Sequence, residues 1–158
     1  MIDEDHPLEH ARNELKRVNH LYYVSLKYTR TVDVIRNMYD RMIQCMGYLL
    51  DALLIHAHEK KDLDQIPKST GTRAETLLRL YPHDGELIEY INFYQFKRRI
   101  YRATFTRREE YRRHVTMISA LDNGDVVESS IDTLKQDYEF LEKFYAFVKQ
   151  RLHPVEEL

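Results

Sequence analysis

Apolar residues recur at intervals of three and four over most of this chain, which is the spacing of one face of an amphipathic α-helix. One such stripe, made of Leu8, Ala11, Leu15, Val18 and Tyr22, predicts a first helix over residues 7–28. A wider, methionine-rich stripe predicts a second helix that ends near residue 59, with Ile35, Met38, Met42, Met46, Leu49 and Leu53 on its face. A helix with so wide an apolar face packs against several neighbours, so the pattern indicates a helical bundle.

Capping residues predict where the helices begin. Thr29-Arg30-Thr31 offers a cap for the second helix, and Thr72 with Glu75 matches a capping box before a short helix that ends at Pro82. Asp84 is the predicted cap of a further helix over residues 85–103. The last helix is predicted from a stripe that ends just before Pro154, made of Ile131, Leu134, Tyr138, Leu141, Tyr145, Val148 and Leu152.

The pattern changes between residues 104 and 130. Thr106 and Glu109 match a second capping box, which predicts a helical turn there. The run from His114 to Ile118 is rich in β-branched residues, and Asn123-Gly124 is the strongest dipeptide signal for a hairpin turn. The predicted fold is therefore mainly α, a single domain over residues 1–158. It is an antiparallel bundle of four to five helices with a short β-hairpin before the last helix.

Composition excludes several classes of protein. Four glycines and four prolines in 158 residues argue against a linker or a disordered chain. The single cysteine, Cys45, excludes an internal disulfide and a multi-cysteine zinc site. His56 and His58 lie two residues apart on a predicted helix and point about 200° from each other, so they do not predict a metal site. No metal and no cofactor are predicted.

The chain shows no sign of membrane insertion or export. Its start, Met1 to Asp5, is acidic and lacks the basic-then-apolar order of a signal peptide. The most apolar window, residues 46–55, contains Asp51 and is about half the length of a membrane span. We expect a soluble, cytoplasmic protein that has no membrane partner.

Positive charge is concentrated in residues 97–113, here called the basic stretch. Eight basic residues stand there against two glutamates, although the whole chain has a net charge of −2. Arginine donates two parallel hydrogen bonds to a phosphate. Arginine and tyrosine side chains both stack on bases. The predicted nucleic-acid-binding residues are Lys97, Arg98, Arg99, Arg102, Arg107, Arg108, Tyr111, Arg112 and Arg113. RNA or another polyanion is the expected ligand. The alternative is a solvated helix face whose arginines pair with nearby carboxylates.

Two segments, "MGYLLDALLIHAHEK" and "FYQFKRRIYRA", resemble consecutive helices of a known group of small helical bundles, the HEPN superfamily. The first is similar to the long second helix of those bundles, and the second to the Arg- and Tyr-bearing helix that follows it. The spacing Arg108-x5-His114 fits the R-x(4–6)-H pair of HEPN ribonucleases. The resemblance implies His114 as general base or acid and Arg108 as the group that stabilises phosphate charge. However, chance predicts about as many such pairs as the chain has, and His114 lies in a predicted strand. Both points favour the non-catalytic members of the superfamily.

A second hypothesis is a regulatory module that binds a second copy of itself or a helical protein partner. Six aromatic residues of the first and last helices are predicted to lie at the surface: Tyr22, Tyr23, Tyr28, Phe140, Phe144 and Phe147. An apolar face of this kind would mark a homodimer seam. Convergence of the arginines and His114 in a cleft favours the first hypothesis, and separate pairing of each with a carboxylate favours the second.

Overall fold

The computed structural model describes residues 6–154, so the acidic start used to judge the signal peptide lies outside the described residues. The helices are α1 (Pro7–His20), α2 (Leu26–Tyr28), α3 (Val32–Glu59), α4 (Arg73–Leu80), α5 (Gly85–Arg102) and α6 (Ile131–Leu152). A π-helical turn, Leu21–Ser25, joins α1 to α2, and a 3₁₀ turn, Thr70–Thr72, precedes α4. The predicted helical bundle is confirmed, and no helix within residues 6–154 is both long and apolar enough to cross a membrane.

Helix α3 is the central element, as its wide apolar stripe predicted. It packs against α1, α4, α5 and α6, and its predicted buried residues are all inaccessible to solvent. Its N-terminus is capped by Thr31, whose hydroxyl accepts a hydrogen bond from the Val34 amide at 3.3 Å. The predicted cap is therefore confirmed, and the helix begins at a fixed point next to the basic stretch.

The predicted capping box before α4 is wrong in its details. Thr72 makes no capping bond to α4; its hydroxyl donates instead to the Ser69 carbonyl at 3.0 Å. Ser69 caps the 3₁₀ turn that precedes the helix and accepts a hydrogen bond from the Gly71 amide. The Thr72 hydroxyl therefore bonds within the 3₁₀ turn and does not cap α4, contrary to what the pattern predicted.

Three antiparallel strands, in the order β1-β2-β3, form a small sheet between α5 and α6. They are β1 (Thr104–Arg108), β2 (Thr116–Ala120) and β3 (Val126–Ser129). The hairpin around Asn123-Gly124 is confirmed, although β2 begins at Thr116 and not at His114. The helical turn predicted from Thr106 to Glu109 is wrong, because Thr106 pairs with Ile118 and extends the hairpin to a third strand. Pairing with β2 overrides the local capping pattern.

The sheet is fixed onto α3 by polar and aromatic contacts. The buried Tyr39 and Ser129 hydroxyls lie 2.6 Å apart. The Arg36 guanidinium lies between the rings of Tyr101 and Phe105, at 4.6 and 4.2 Å from their centroids. The first contact holds β3 against α3, and the second holds β1 against α3 and α5, so the sheet is tied to the helices next to the basic stretch.

The aromatic residues of α6 lie mainly inside the bundle. Phe144 is fully buried and stacks on Tyr90 of α5 at 4.8 Å, so the expectation that it is exposed is wrong. Phe140 and Phe147 are half-buried and also pack against Tyr90. On the side of α1 and α2, by contrast, Tyr28 is 78% exposed. The α6 part of the predicted dimer seam is therefore wrong, because the three phenylalanine rings form the contact between α5 and α6.

Candidate polyanion-binding site

Lys97 lies inside the bundle and not on the predicted surface. Its side chain is 9% exposed, and its Nζ is 2.9 Å from Asp137 Oδ2 of α6. The rings of Tyr39 and Phe93 lie 5.6 and 5.0 Å from the same ammonium. Burial raises the pKa of Asp137, and the attraction of Lys97 opposes that rise. Lys97 is therefore a structural residue whose charge balances a buried carboxyl group.

The other basic residues of α5 lie at its surface. Arg98 is half-buried, with its guanidinium 5.3 Å from the centre of the Tyr94 ring, and Arg102 is exposed. Both line a groove of about 580 Å³ between α3 and α5, here called the α3–α5 groove. Arg99 is exposed next to it and borders a smaller recess with Asp122. Residues from α4 and α3, which the charge pattern did not single out, complete the groove.

The loop from Glu109 to Val115 is docked onto the start of α3. The Tyr111 amide donates to the Arg30 carbonyl at 2.6 Å. The Glu110 carboxylate accepts from the Val32 amide at 3.1 Å and from Arg107 Nη1 at 3.0 Å. A carboxylate at a helix N-terminus is favoured by the free amides and by the helix dipole. Glu110 therefore holds the loop in place.

The two residues that flank Glu110, one on each side, have left-handed backbone conformations. The φ angles are 55° at Glu109 and 67° at Tyr111, a region that disfavours residues other than glycine by about 1–2 kcal/mol each. Tyr111 is 77% exposed, so its own side chain adds little packing to offset that strain. The docking bonds of the loop maintain both conformations, and they leave the Tyr111 ring in solvent.

Substitution of Glu110 by glutamine is expected to lower the free energy of unfolding by about 1–2 kcal/mol, because the helix loses its charged cap and Arg107 loses one partner. Urea denaturation would measure the change. Glu109→Gln in the same loop is the control, since Glu109 is exposed and its change should stay within about 0.5 kcal/mol. Equal stability of the two variants would contradict the docking role.

A second pocket, of about 630 Å³, lies between this loop, Arg30 and the first turn of α6; it is here called the loop pocket. Arg30, Arg108, Arg113 and His114 line it, together with the three carboxylates of Glu109, Glu128 and Asp132. The Nε atom of Arg30 is buried and has no hydrogen-bond partner among the described residues. Arg30 lies far from the basic stretch in sequence, and only the docked loop brings it into this pocket.

The arginines divide into a paired and an unpaired group. Arg107 binds Asp33 and Glu110, each at 3.0 Å, and Arg108 binds Glu128 at 2.7 Å. The others form no ion pair with a carboxylate of residues 6–154: Arg98, Arg99, Arg102, Arg112 and Arg113. The arginines of the basic stretch are therefore neither all paired with carboxylates nor all unpaired, and five of the seven have no carboxylate partner among residues 6–154.

Comparison with known proteins gives no relative from which to infer the function of this site. No family model, no curated protein and no solved structure matches the chain. The resemblance to the HEPN superfamily stays a prediction from the residues. Within residues 6–154, no group of three or more His, Cys, Asp or Glu side chains is placed to hold a metal ion.

Proposed function

We propose that this protein binds RNA or another polyanion through the α3–α5 groove and the loop pocket, without catalysing a reaction. The observation that carries the proposal is the set of arginines in the basic stretch that have no carboxylate partner among residues 6–154. A guanidinium group left at the surface of an acidic protein is available for phosphate, which it binds through two parallel hydrogen bonds.

The position of strand β1 supports an extended ligand. Arg102, which lines the groove, directly precedes the strand region, and Arg108, which lines the loop pocket, ends β1. Six residues of extended chain separate them by about 20 Å. A single phosphate cannot reach both places, whereas a polyanion can follow β1 from one pocket to the other.

Aromatic side chains favour a single-stranded nucleic acid among the polyanions. Tyr111 is exposed beside the loop pocket, and the partly exposed rings of Tyr48 and Tyr101 line the groove. Unstacked bases bind to such rings with about 1–3 kcal/mol per base. A duplex offers few free base faces, so single-stranded RNA is the form of ligand that these residues fit best.

Binding of a fluorescently labelled single-stranded RNA at increasing salt tests the proposal. Each phosphate contact contributes about −0.7 to the slope of log K against log salt, so five arginines give a slope of about −3 to −4. Heparin as competitor distinguishes RNA from polyanions in general, since it offers charge without bases. Absence of measurable affinity for either polyanion at low salt would refute the proposal.

A metal-independent ribonuclease is the second candidate, favoured by the presence of Arg108 and His114 in one pocket. His114 would move the proton of a ribose 2′-OH, and Arg108 would stabilise phosphate charge. The ion pair of Arg108 Nη1 with Glu128 opposes this role, because the adjacent carboxylate offsets the positive charge that a phosphate would need. Cleavage of RNA by the wild type and not by His114→Ala would support it; equal rates for both would exclude it.

A further inference from the structure

We infer that the α3–α5 groove is a track for a short segment of single-stranded RNA, with Arg73 as a phosphate-binding residue at the end opposite to Arg98 and Arg102. The inference rests on the proposed function and deepens it. It assigns a role to a residue of α4 that lies outside the basic stretch, and it gives the ligand a direction along the groove.

Arg73 is held rigidly at the groove. Its Nε donates to the Thr70 carbonyl at 3.1 Å, and its Nη1 donates to the Gly47 carbonyl and to Asp51 Oδ2, each at 3.0 Å. Three of the five guanidinium donors are thereby used, and Nη2 has no acceptor among the described residues. Since the side chain is only 15% exposed, it has little rotamer freedom to lose when an anion binds.

Gly47 makes this position of Arg73 possible. A Cβ atom at residue 47 would lie 3.1 Å from Arg73 Nη2 and 3.4 Å from Nη1. Glycine is a poor helix former, yet it stands within the 28-residue helix α3 at a position that lines the groove. Its lack of a side chain lets the guanidinium, with Nη2 nearest, rest against the wall of the groove.

The cationic groups lie at two different levels of the groove. Arg36 of α3 contacts Tyr101 of α5, and Tyr39, one turn further along α3, lies near Lys97, one turn back along α5. The two helices are therefore antiparallel, which places Arg98 near the level of Asp40.

Arg73 lies at the level of Gly47, seven residues further along α3, or about 10 Å. No single phosphate spans that distance. A stacked single strand covers it in about three nucleotide steps.

Aromatic and polar side chains lie between these ends. The partly exposed Tyr48 offers ring surface, and Gln44 offers both a donor and an acceptor. Two carboxylates also line the groove, but Asp51 orients Arg73, so the groove keeps an excess of one positive charge over Asp40 and Asp51 together. Charge at both ends with planar surface between them matches a nucleic-acid strand better than a compact anion.

The test compares Arg73→Gln and Gly47→Ala with Arg79→Gln, a control on the exposed side of the same helix α4. The measurement is the affinity for a single-stranded RNA of roughly twelve nucleotides, a length within the usual range of single-strand sites. We expect Arg73→Gln to weaken binding about tenfold to a hundredfold and to reduce the salt slope by about 0.7. Arg79→Gln should change the affinity by less than about twofold.

Gly47→Ala retains every charge and introduces a better helix former, so it should fold normally while its Cβ shifts the guanidinium by a few tenths of an ångström. It is expected to weaken binding at least about threefold, and it decides the question if Arg73→Gln fails to fold. If the wild type binds RNA but both variants bind as tightly as Arg79→Gln does, the inference is wrong and the proposed function stands. If the wild type binds no RNA, both are wrong.

Discussion

Replacement of Lys97 by methionine is expected to lower the free energy of unfolding by about 3–5 kcal/mol. The substitution leaves Asp137, whose side chain is 13% exposed, without its partner at 2.9 Å. A buried carboxylate without a counter-charge is costly, because no water replaces the lost attraction. Urea denaturation at neutral pH would measure the loss.

Two further variants separate the charge effect from lost packing. The double variant Lys97→Met/Asp137→Leu removes both charges and should recover most of the stability, as replaced buried ion pairs often do. Asp33→Ala breaks the exposed pair with Arg107 and should cost less than about 1 kcal/mol. A Lys97→Met protein as stable as Asp33→Ala would contradict the assignment of Lys97 to the interior.

The stability of Lys97→Met should also depend on pH. Burial raises the pKa of Asp137 above its ordinary value of 3.8, and the substitution removes the lysine that opposes this rise. The folded state then binds the proton more tightly than the unfolded state does. Stability therefore increases as the pH falls through the raised pKa, and the deficit relative to the wild type should shrink in acid.

Joint replacement of four unpaired arginines by glutamine is expected to weaken binding of single-stranded RNA by at least about a thousandfold at low salt. The four are Arg98, Arg102, Arg112 and Arg113. Since each removed phosphate contact reduces the salt slope by about 0.7, the slope should decrease by about 3. All four lie at the surface or half-buried, so the fold should persist, as circular dichroism would show.

A charge-matched control distinguishes a local site from a general loss of positive charge. It replaces four exposed basic residues of α1, α4 and α6 with glutamine: Lys16, Arg79, Lys143 and Lys149. Net charge falls equally, but neither pocket is altered, so affinity should drop by less than about tenfold. Similar losses in the two variants would indicate nonspecific electrostatic attraction.

The helices could be predicted from the sequence because their stripes repeat over many turns. The stripe of α3 from Ile35 to Leu53 is buried as expected, and the capping roles of Thr31 and Asp84 are confirmed. Periodicity of this kind reports burial within one element. It carries no information about which neighbour covers each face, and the prediction that Phe144 is exposed failed for that reason.

Strand β1 could not be predicted from local signals. Thr106 and Glu109 have the spacing of a helix cap, but the segment is held in a strand by pairing with β2. The local charge pattern places Lys97 with the surface arginines. Its partner, Asp137, lies 40 residues further along the chain and does not enter that pattern. Both errors come from contacts between residues that are distant in sequence.

Only some of the residues that line the two pockets could be predicted from the sequence. The charge pattern identified Arg98, Arg102, Arg113 and His114, but not Arg30 or the pair of Arg73 with Gly47. Arg30 enters the loop pocket because its carbonyl accepts a hydrogen bond from the Tyr111 amide, and this bond depends on an unusual left-handed turn. A mid-helix glycine opposite an arginine is recognised only when the helices are packed.

Photocrosslinking of a single-stranded RNA to the intact protein, followed by identification of the linked peptides, locates the bound strand on the molecule. We expect crosslinks at Tyr111 beside the loop pocket and at Tyr48 or Tyr101 in the α3–α5 groove. Tyr23 and Tyr28, exposed on the side of α1 and α2, serve as internal controls and should stay unmodified. Crosslinks confined to Tyr23 and Tyr28, with none at the groove or the loop, would contradict the binding surface proposed for this protein.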